Sequence, residues 1–276
     1  MTMHFAQIID LLSLAPVQRG FIGLIISGLG LPLVGVFIVG LNIYPLRFTI
    51  MHVALLGVAL GQFLGLEPVL PALVLCALTG RALAFFAQHP SGTPGAMGFF
   101  MVVSIALAFL LLSLGGVNAN AAFELLWGSI LAVRLSEVLL LATICLGLGG
   151  IFYAQRSQLA LLLYDREVAW CSGIPVKGLT IVLFMLISVA IAAAVRLTGA
   201  LLVDAVTILP ALAARNMGTN LTSIALWSIG FGLIGNVAGF GLAIVLDLPL
   251  GPVLVLTAGA ITLATYALQA WKGNRL

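Results

Sequence analysis

The sequence has very little charge. Only 7% of its 276 residues are Asp, Glu, Lys or Arg, whereas ordinary soluble domains carry about 25%. Hydrophobic residues make up 63% of the chain, and its mean hydropathy is +1.28. Because so few polar side chains cannot cover a water-soluble globule, a soluble enzyme is excluded. The net charge of +3 is not typical of a nucleic-acid-binding protein, so no nucleic-acid partner is expected.

Residues that carry chemistry are also scarce. The three cysteines, Cys76, Cys145 and Cys171, have no paired spacing that would indicate a disulfide framework. The two lysines, Lys177 and Lys272, do not occur in a phosphate-binding loop. No His-Glu-x-x-His or similar catalytic cluster is present either. The sequence therefore predicts no enzymatic activity and no cofactor bound by this chain, and any ATP would be hydrolysed by another protein.

Long apolar runs, in contrast, recur from end to end. Nine of them are interrupted by short turns, and they are too continuous for the alternating pattern of a β-barrel. Helices satisfy their own backbone hydrogen bonds in lipid. We therefore expect an all-α, polytopic membrane helical bundle of about eight to nine transmembrane helices, in a single domain over residues 1–276. The apolar segments are 18–44, 48–65, 69–87, 97–115, 134–154, 177–196, 199–215, 221–245 and 251–271.

The N-terminal segment and the basic residues predict the orientation. Residues 1–17 lack a cationic region and contain Asp10, so we expect an interfacial segment rather than a cleaved signal peptide. With the N-terminus outside and nine crossings, eight basic residues fall on the cytoplasmic side and three outside, which favours N-out and C-in. The cytoplasmic set is Arg47, Arg81, Arg156, Arg166, Lys177, Arg215, Lys272 and Arg275, and the outer set is Arg19, Arg134 and Arg196.

A polar stretch, residues 154–178, interrupts the later apolar segments on the cytoplasmic side. Asp165 is suited to open a short helix, and Gly173 before Pro175 is suited to close it. The stretch could be a solvated loop. The alternative is a docking helix for a soluble partner, with Trp170 as an anchor of the kind enriched in interfaces.

The segment YDREVAWCSGI, Tyr164 to Ile174, resembles the coupling segment of ABC importer permeases of the metal-uptake group. Its aromatic-Asp-x-Glu-x-Ala-x-x-x-Gly pattern is carried by Tyr164, Asp165, Glu167, Ala169 and Gly173. Five other stretches are similar to family segments in the same order, so that the likeness covers nearly the whole chain after residue 20. They are GLPLVGVFIV (30–39), HVALLGVALG (52–61), LLWGSILAV (125–133), TGALLVDAVTILPALAA (198–214) and DLPLGPVLVL (247–256).

The resemblance implies the fold and role of an ABC importer permease in a bacterial inner membrane. Such a subunit would pair with a second copy of itself and with two ATPase subunits that bind ATP and Mg²⁺. A periplasmic or extracellular solute-binding protein would deliver the substrate. The resemblance implies a divalent transition metal ion, such as zinc, manganese or iron, or a metal complex. Residues 156–176 would form the cytoplasmic coupling segment.

One metal-site position of the family is preserved here and its neighbour is not. The histidine of the family's second span corresponds to His52, but the Gly-Asp pair before it is replaced by Arg47 and Phe48. A carboxylate-plus-imidazole site cannot be carried over intact. His52 could instead be a packed histidine that donates a hydrogen bond to a neighbouring carbonyl.

Asp204 lies in the middle of an apolar segment. Burying a carboxylate there costs roughly 2.5–3.5 kcal/mol on insertion scales, so it should face the bundle interior or a water-filled path. At 100° per residue, Ala200, Asp204, Thr207 and Ala211 form a narrow stripe of small and polar residues. The stripe could line a channel or contact another helix. Asp204 could also be a protonated hydrogen-bonding acid or pair with a basic residue such as Arg81.

We expect His52 and Asp204, with Thr207, to line the path and to contribute imidazole and carboxylate ligands for a divalent metal. Two alternatives remain open from the residues. A permease of this fold could import a chelate or a non-metal solute. A proton-coupled secondary transporter could use Asp204 as a relay, although it would give no reason for the segment at 164–174.

Overall fold

The computed structural model describes residues 13–87, 93–116 and 133–273. In these ranges the regular structure is entirely helical, which confirms the predicted all-α fold. We number the ten helices in chain order. They are α1 Ala15–Gly40, α2 Pro45–Phe63, α3 Val69–Phe86, α4 Thr93–Leu114, α5 Leu135–Tyr164, α6 Arg166–Cys171, α7 Val176–Thr198, α8 Ala200–Met217, α9 Leu221–Leu246 and α10 Leu250–Gly273.

Eight helices in the described ranges are long and apolar enough to cross a membrane, namely α1 to α5, α7, α9 and α10. This agrees with the predicted multi-pass bundle. The remaining long helix, α8, has 18 residues and a length of about 27 Å at 1.5 Å per residue. That length is close to the roughly 30 Å hydrocarbon thickness of a bilayer.

Helix α5 differs most from its predicted bounds. Its apolar segment was expected to end near Ala154, but the helix continues to Tyr164. The backbone leaves helical geometry at Gln155, with φ −116° and ψ 17°, and becomes helical again beyond it. The polar residues after the kink therefore extend the helix rather than forming a loop, and they lead directly into α6.

The described residues form two compact units, here called unit 1 and unit 2. Unit 1 contains residues 13–40, 133–156 and 201–273, and unit 2 contains residues 41–87, 93–116 and 157–200. The prediction of a single membrane domain stays a prediction. Most of the expected interfacial segment 1–17, and the LLWGSILAV motif except Val133, lie outside the described residues.

Unit 1 is held together by close helix packing through small and polar residues. The Asn236 side chain of α9 donates to the Leu24 carbonyl of α1 at 2.8 Å, and the Ser228 hydroxyl donates to the Pro32 carbonyl at 3.2 Å. The Thr262 hydroxyl of α10 donates to the Leu209 carbonyl of α8 at 3.0 Å. Such interhelical bonds contribute about 0.6 kcal/mol each on average in a membrane.

Unit 2 packs α2 against α3 and α4, and α3 against α7. The Thr49 hydroxyl of α2 donates to the Met97 carbonyl of α4 at 3.0 Å. Gly80 of α3 approaches α7 so closely that a Cβ there would lie 2.7 Å from the Phe184 carbonyl oxygen. Helices α3 and α7 therefore form a tightly packed pair, and α6 adjoins the start of α7.

Candidate functional site

The predicted coupling segment contains a short helix, α6, with a well-formed N-terminal cap. The Asp165 backbone is extended, with φ −155° and ψ 124°, and its Oδ1 accepts the backbone N–H of Glu167 at 2.8 Å and of Val168 at 3.0 Å. A carboxylate here also interacts favourably with the positive end of the helix. Asp165 therefore starts the helix at the position that its sequence predicted.

The other end of α6 closes with a Schellman turn. The Gly173 N–H bonds to the Trp170 carbonyl at 3.0 Å, and the Ile174 N–H bonds to the Ala169 carbonyl at 3.2 Å. This turn requires a left-handed residue, and Gly173 provides it with φ +79°. Ala169 is fully buried, so its small side chain lets α6 pack against the rest of unit 2.

Apart from Ala169 and the half-buried Arg166, the residues of α6 are exposed, and so is Tyr164, the last residue of α5. Tyr164 is 85% exposed, Trp170 is 72% exposed and Val168 is 45% exposed. Large apolar side chains on a helix with both ends capped form a surface suited to a protein partner. Tyr164, Asp165, Glu167, Ala169 and Gly173 thus all lie in or directly beside α6, in unit 2.

Arg166 is a functional candidate that the sequence reasoning missed. Its guanidinium Nη1 donates to the carbonyl of Ala87, the residue that caps the C-terminus of α3. Its Nη2 donates to Thr180 Oγ1 on α7 at 3.2 Å. Partial burial lowers the pKa of Arg166. A signal was available, because a cation in the first turn of a helix opposes the helix dipole and needs a partner elsewhere.

His52 lies half-buried on α2, in unit 2. Its Nδ1 is 2.6 Å from the Phe48 carbonyl oxygen. Since a carbonyl only accepts hydrogen bonds, Nδ1 must carry the proton, and in the neutral ring Nε2 then holds the lone pair. The hydrogen bond fixes the ring, as backbone carbonyls commonly do for histidines that ligate metals. The geometry is also that of the packed, hydrogen-bonded histidine considered from the sequence.

Arg47 and Phe48, at the two positions where the resemblance implies a Gly-Asp pair, contact each other. The Arg47 guanidinium lies over the Phe48 ring, 4.5 Å from its centroid. Phe48 is exposed and lies one helical turn before His52. The side chain one turn before the imidazole is therefore an aromatic ring stacked under a guanidinium, at the position where the resemblance implies a carboxylate.

Asp204 and Thr207 lie on α8, in unit 1. Asp204 is half-buried, and the hydroxyl of the buried Thr207 donates to the Val203 carbonyl at 2.6 Å. A Cβ added at Gly35 of α1 would collide with the Thr207 carbonyl oxygen and lie 3.0 Å from the Ala211 Cβ. The Thr207–Ala211 part of the stripe therefore contacts a helix.

The predicted path residues are thus not all in one unit, since His52 belongs to unit 2 and Asp204 and Thr207 belong to unit 1. Within the described residues, no group of three or more His, Cys, Asp and Glu side chains is arranged to hold a metal ion. Their role as ligands stays a prediction. Strong, closed coordination would in any case oppose release of a transported ion.

The fold is that of a multi-pass membrane helical bundle with a short, capped helix, α6, between two of its spans. The profile of the ABC 3 transport family matches residues 13–269. The chain therefore belongs to this family and is a permease subunit of an ABC transporter, which favours this function over the secondary-transporter alternative.

Two curated relatives are similar over most of their length. The chain is 28% identical over 262 residues to the high-affinity zinc uptake system membrane protein ZnuB of Haemophilus influenzae, covering 92% of this chain and 96% of ZnuB. It is 25% identical over 285 residues to the manganese transport system membrane protein MntC of Halalkalibacterium halodurans, covering 100% and 96%.

A solved structure is also similar. PsaBC from Streptococcus pneumoniae, determined in complex with a Fab, matches with a TM-score of 0.81 and 26% identity, covering 95% of both chains. An inward-facing putative metal-chelate type ABC transporter matches with a TM-score of 0.66 at 19% identity, which supports the fold alone.

Proposed function

We propose that two copies of this chain form the translocation path of an importer for a divalent transition metal ion, with zinc and manganese as the first candidates. The relatives named for zinc and manganese uptake support this substrate class. ATP and Mg²⁺ would bind to two separate ATPase subunits, and a solute-binding protein would deliver the ion from the other side. The chain would lie in a bacterial inner membrane, N-out and C-in.

The observation that carries the proposal is α6. A six-residue helix is too short to be stable alone, yet this one is capped at both ends and exposes Val168 and Trp170. An exposed surface of this kind can transmit a movement only when a partner protein binds to it. We infer that the partner is the ATPase, so that closure of the ATPases on ATP moves α6 and changes access to the path.

The His52 imidazole suits the proposed substrate. Because Nδ1 donates to the Phe48 carbonyl, Nε2 is the ring atom whose lone pair can bind a metal. Neutral imidazole binds first-row divalent metals well. Asp204 would add a carboxylate. Two ligands from each chain would give weak, reversible binding that permits release.

Reconstitution tests the proposed function. The chain is combined in proteoliposomes with its ATPase and its solute-binding protein, and uptake of Zn²⁺ and Mn²⁺ is measured with and without ATP. We expect uptake of at least one metal that depends on ATP, and none when Glu167→Arg places a cation on the docking surface. Uptake without the ATPase would contradict the proposal, as would uptake of neither metal by the complete, ATP-hydrolysing complex.

A further inference from the structure

We propose that Arg166 is a positioning residue that fixes the coupling helix to the helix pair α3–α7, so that movement of α6 is passed to these spans. The inference rests on the proposed function, because it assumes that an ATPase moves α6. It adds a specific connection between the docking surface and the membrane helices.

The first step concerns what holds α6 in place. The Asp165 side chain caps its N-terminus and backbone bonds close its C-terminus, all within the segment itself, and Val168 and Trp170 are exposed. Buried Ala169 offers only a methyl group for packing. A helix of six residues with one small buried side chain would tilt easily if nothing else connected it to the bundle.

The second step concerns where the Arg166 guanidinium reaches. The Ala87 carbonyl belongs to the last turn of α3, where carbonyls lack intrahelical partners and the helix dipole is negative. A cation therefore binds there favourably, with a charge-assisted hydrogen bond. The second bond, to Thr180 Oγ1 at 3.2 Å, reaches the first turns of α7. One side chain thus connects α6 to two spans.

The third step concerns the stiffness of those spans. Gly80 lets α3 approach α7 so closely that an added Cβ would meet Ser188 Oγ at 2.6 Å and the Phe184 oxygen at 2.7 Å. Since closely packed helices move together, a displacement transmitted through Arg166 would act on both.

The planar guanidinium is needed for this connection. Its fixed fork of donors can reach two acceptors at once, whereas a lysine ammonium is a single point charge on a flexible stem. Arg166→Lys should therefore keep the attraction to the α3 terminus and lose the fixed geometry. Nearby Lys177 is exposed at the start of α7 and provides a matched control for removal of a cation.

The test measures coupling in the reconstituted complex with Zn²⁺ or Mn²⁺, as metal transported per ATP hydrolysed and as stimulation of ATP hydrolysis by the metal-loaded binding protein. In Arg166→Gln we expect both to fall by about tenfold, the factor that loss of roughly 1.4 kcal/mol produces. Arg166→Lys should give an intermediate value, and Lys177→Gln should match the unmodified complex. Thr180→Val should lower coupling less than Arg166→Gln, and the double variant should equal Arg166→Gln, because both substitutions remove the same connection.

Normal coupling in Arg166→Gln, with Glu167→Arg uncoupled, would overturn this inference and leave the proposed function standing. Normal coupling in both would contradict the docking proposal itself. If the Arg166→Gln complex fails to assemble, the inference is tested with Thr180→Val instead, because this variant keeps the bond from Arg166 to the Ala87 carbonyl. Unchanged coupling in Thr180→Val would then overturn the inference. A loss of thermal stability in the Arg166 and Thr180 variants without any change in the transport-to-ATP ratio would assign Arg166 a purely structural role and would likewise overturn the inference.

Discussion

The Phe48 carbonyl oxygen accepts the Nδ1–H of His52 at 2.6 Å, within the same turn of α2. This bond fixes the tautomer and the orientation of the ring. The residue that provides the carbonyl also carries an aromatic side chain at the position where the resemblance implies a carboxylate. The backbone at position 48 therefore orients the imidazole, while the side chain at that position supplies no charge to a metal.

A pair of glycines tests the geometry of the coupling helix. Gly173 has φ +79°, where an alanine costs roughly 1–2 kcal/mol, whereas Gly178 lies inside α7 with nothing within 4 Å of an added Cβ. We expect Gly173→Ala to distort the end of α6 and lower transport per ATP severalfold. Gly178→Ala should leave coupling unchanged and stabilise α7 by up to about 1 kcal/mol. Equal coupling in the two variants would show that the Schellman turn is not required.

The three cysteines allow a test of orientation without engineered residues. Cys76 and Cys145 are buried, and Cys171 is exposed on α6. We expect a membrane-impermeant maleimide to label Cys171 in inside-out vesicles and to leave it unlabelled in right-side-out vesicles. Adding the purified ATPase should then slow the labelling, because it covers α6.

Cys171→Ser is the control for this experiment and should abolish the labelling. Labelling from the outer side would contradict the proposed orientation. If Cys171 is labelled from the inner side at a rate that the ATPase does not alter, the proposed orientation stands and only the docking of the ATPase on α6 is contradicted.

The sequence predicted the helices better than it predicted their connections. Continuous apolar runs can only be satisfied as helices in lipid, so the spans were found, and Asp165 and Gly173 marked the ends of α6 because capping chemistry is local. The extension of α5 beyond Gln155 was missed, because polarity marks the end of a membrane span and not the end of a helix. The partners of Arg166 could not be predicted from the sequence either, since Ala87 lies 79 residues away in the chain.

The stripe on α8 illustrates the same limit. Helical spacing correctly placed Thr207 and Ala211 on one face of α8. It could not decide whether that face lines a path or contacts a helix, because the answer depends on Gly35, which is distant in the chain and lies against Thr207 and Ala211.

Gly35 gives a prediction about stability. A Cβ at this position would overlap the Thr207 carbonyl oxygen, and overpacking of this kind typically costs 1–3 kcal/mol. We expect Gly35→Ala to lower the melting temperature of the purified chain, measured by its loss of monodispersity on heating in detergent. Gly147→Ala, where nothing lies within 4 Å of the added Cβ, should melt as the unmodified chain does. Equal melting of both variants would mean that α1 and α8 do not pack closely at Gly35.

The last prediction concerns the two proposed ligands, His52 and Asp204. If they act on the same transported ion, His52→Ala and Asp204→Ala should each lower metal uptake by at least about tenfold, which corresponds to 1.4 kcal/mol. The double variant should add little to the worse single one, because residues that act together are not additive. Asp204→Asn should behave like Asp204→Ala, since an amide can replace a carboxylate in a helix contact but is a much weaker ligand for a transition metal.

Met51→Leu, beside His52 and buried, is the matched control and should transport normally because the two side chains have similar volumes. Each variant is first checked for assembly with the ATPase, so that loss of uptake is not loss of the complex. Normal uptake by an assembled Asp204→Ala variant would exclude Asp204 as the carboxylate that replaces the one missing at position 48. His52, held by the Phe48 carbonyl, would then have to bind the ion without a carboxylate from Asp204. If uptake by His52→Ala were normal as well, the imidazole would be a packing residue of α2.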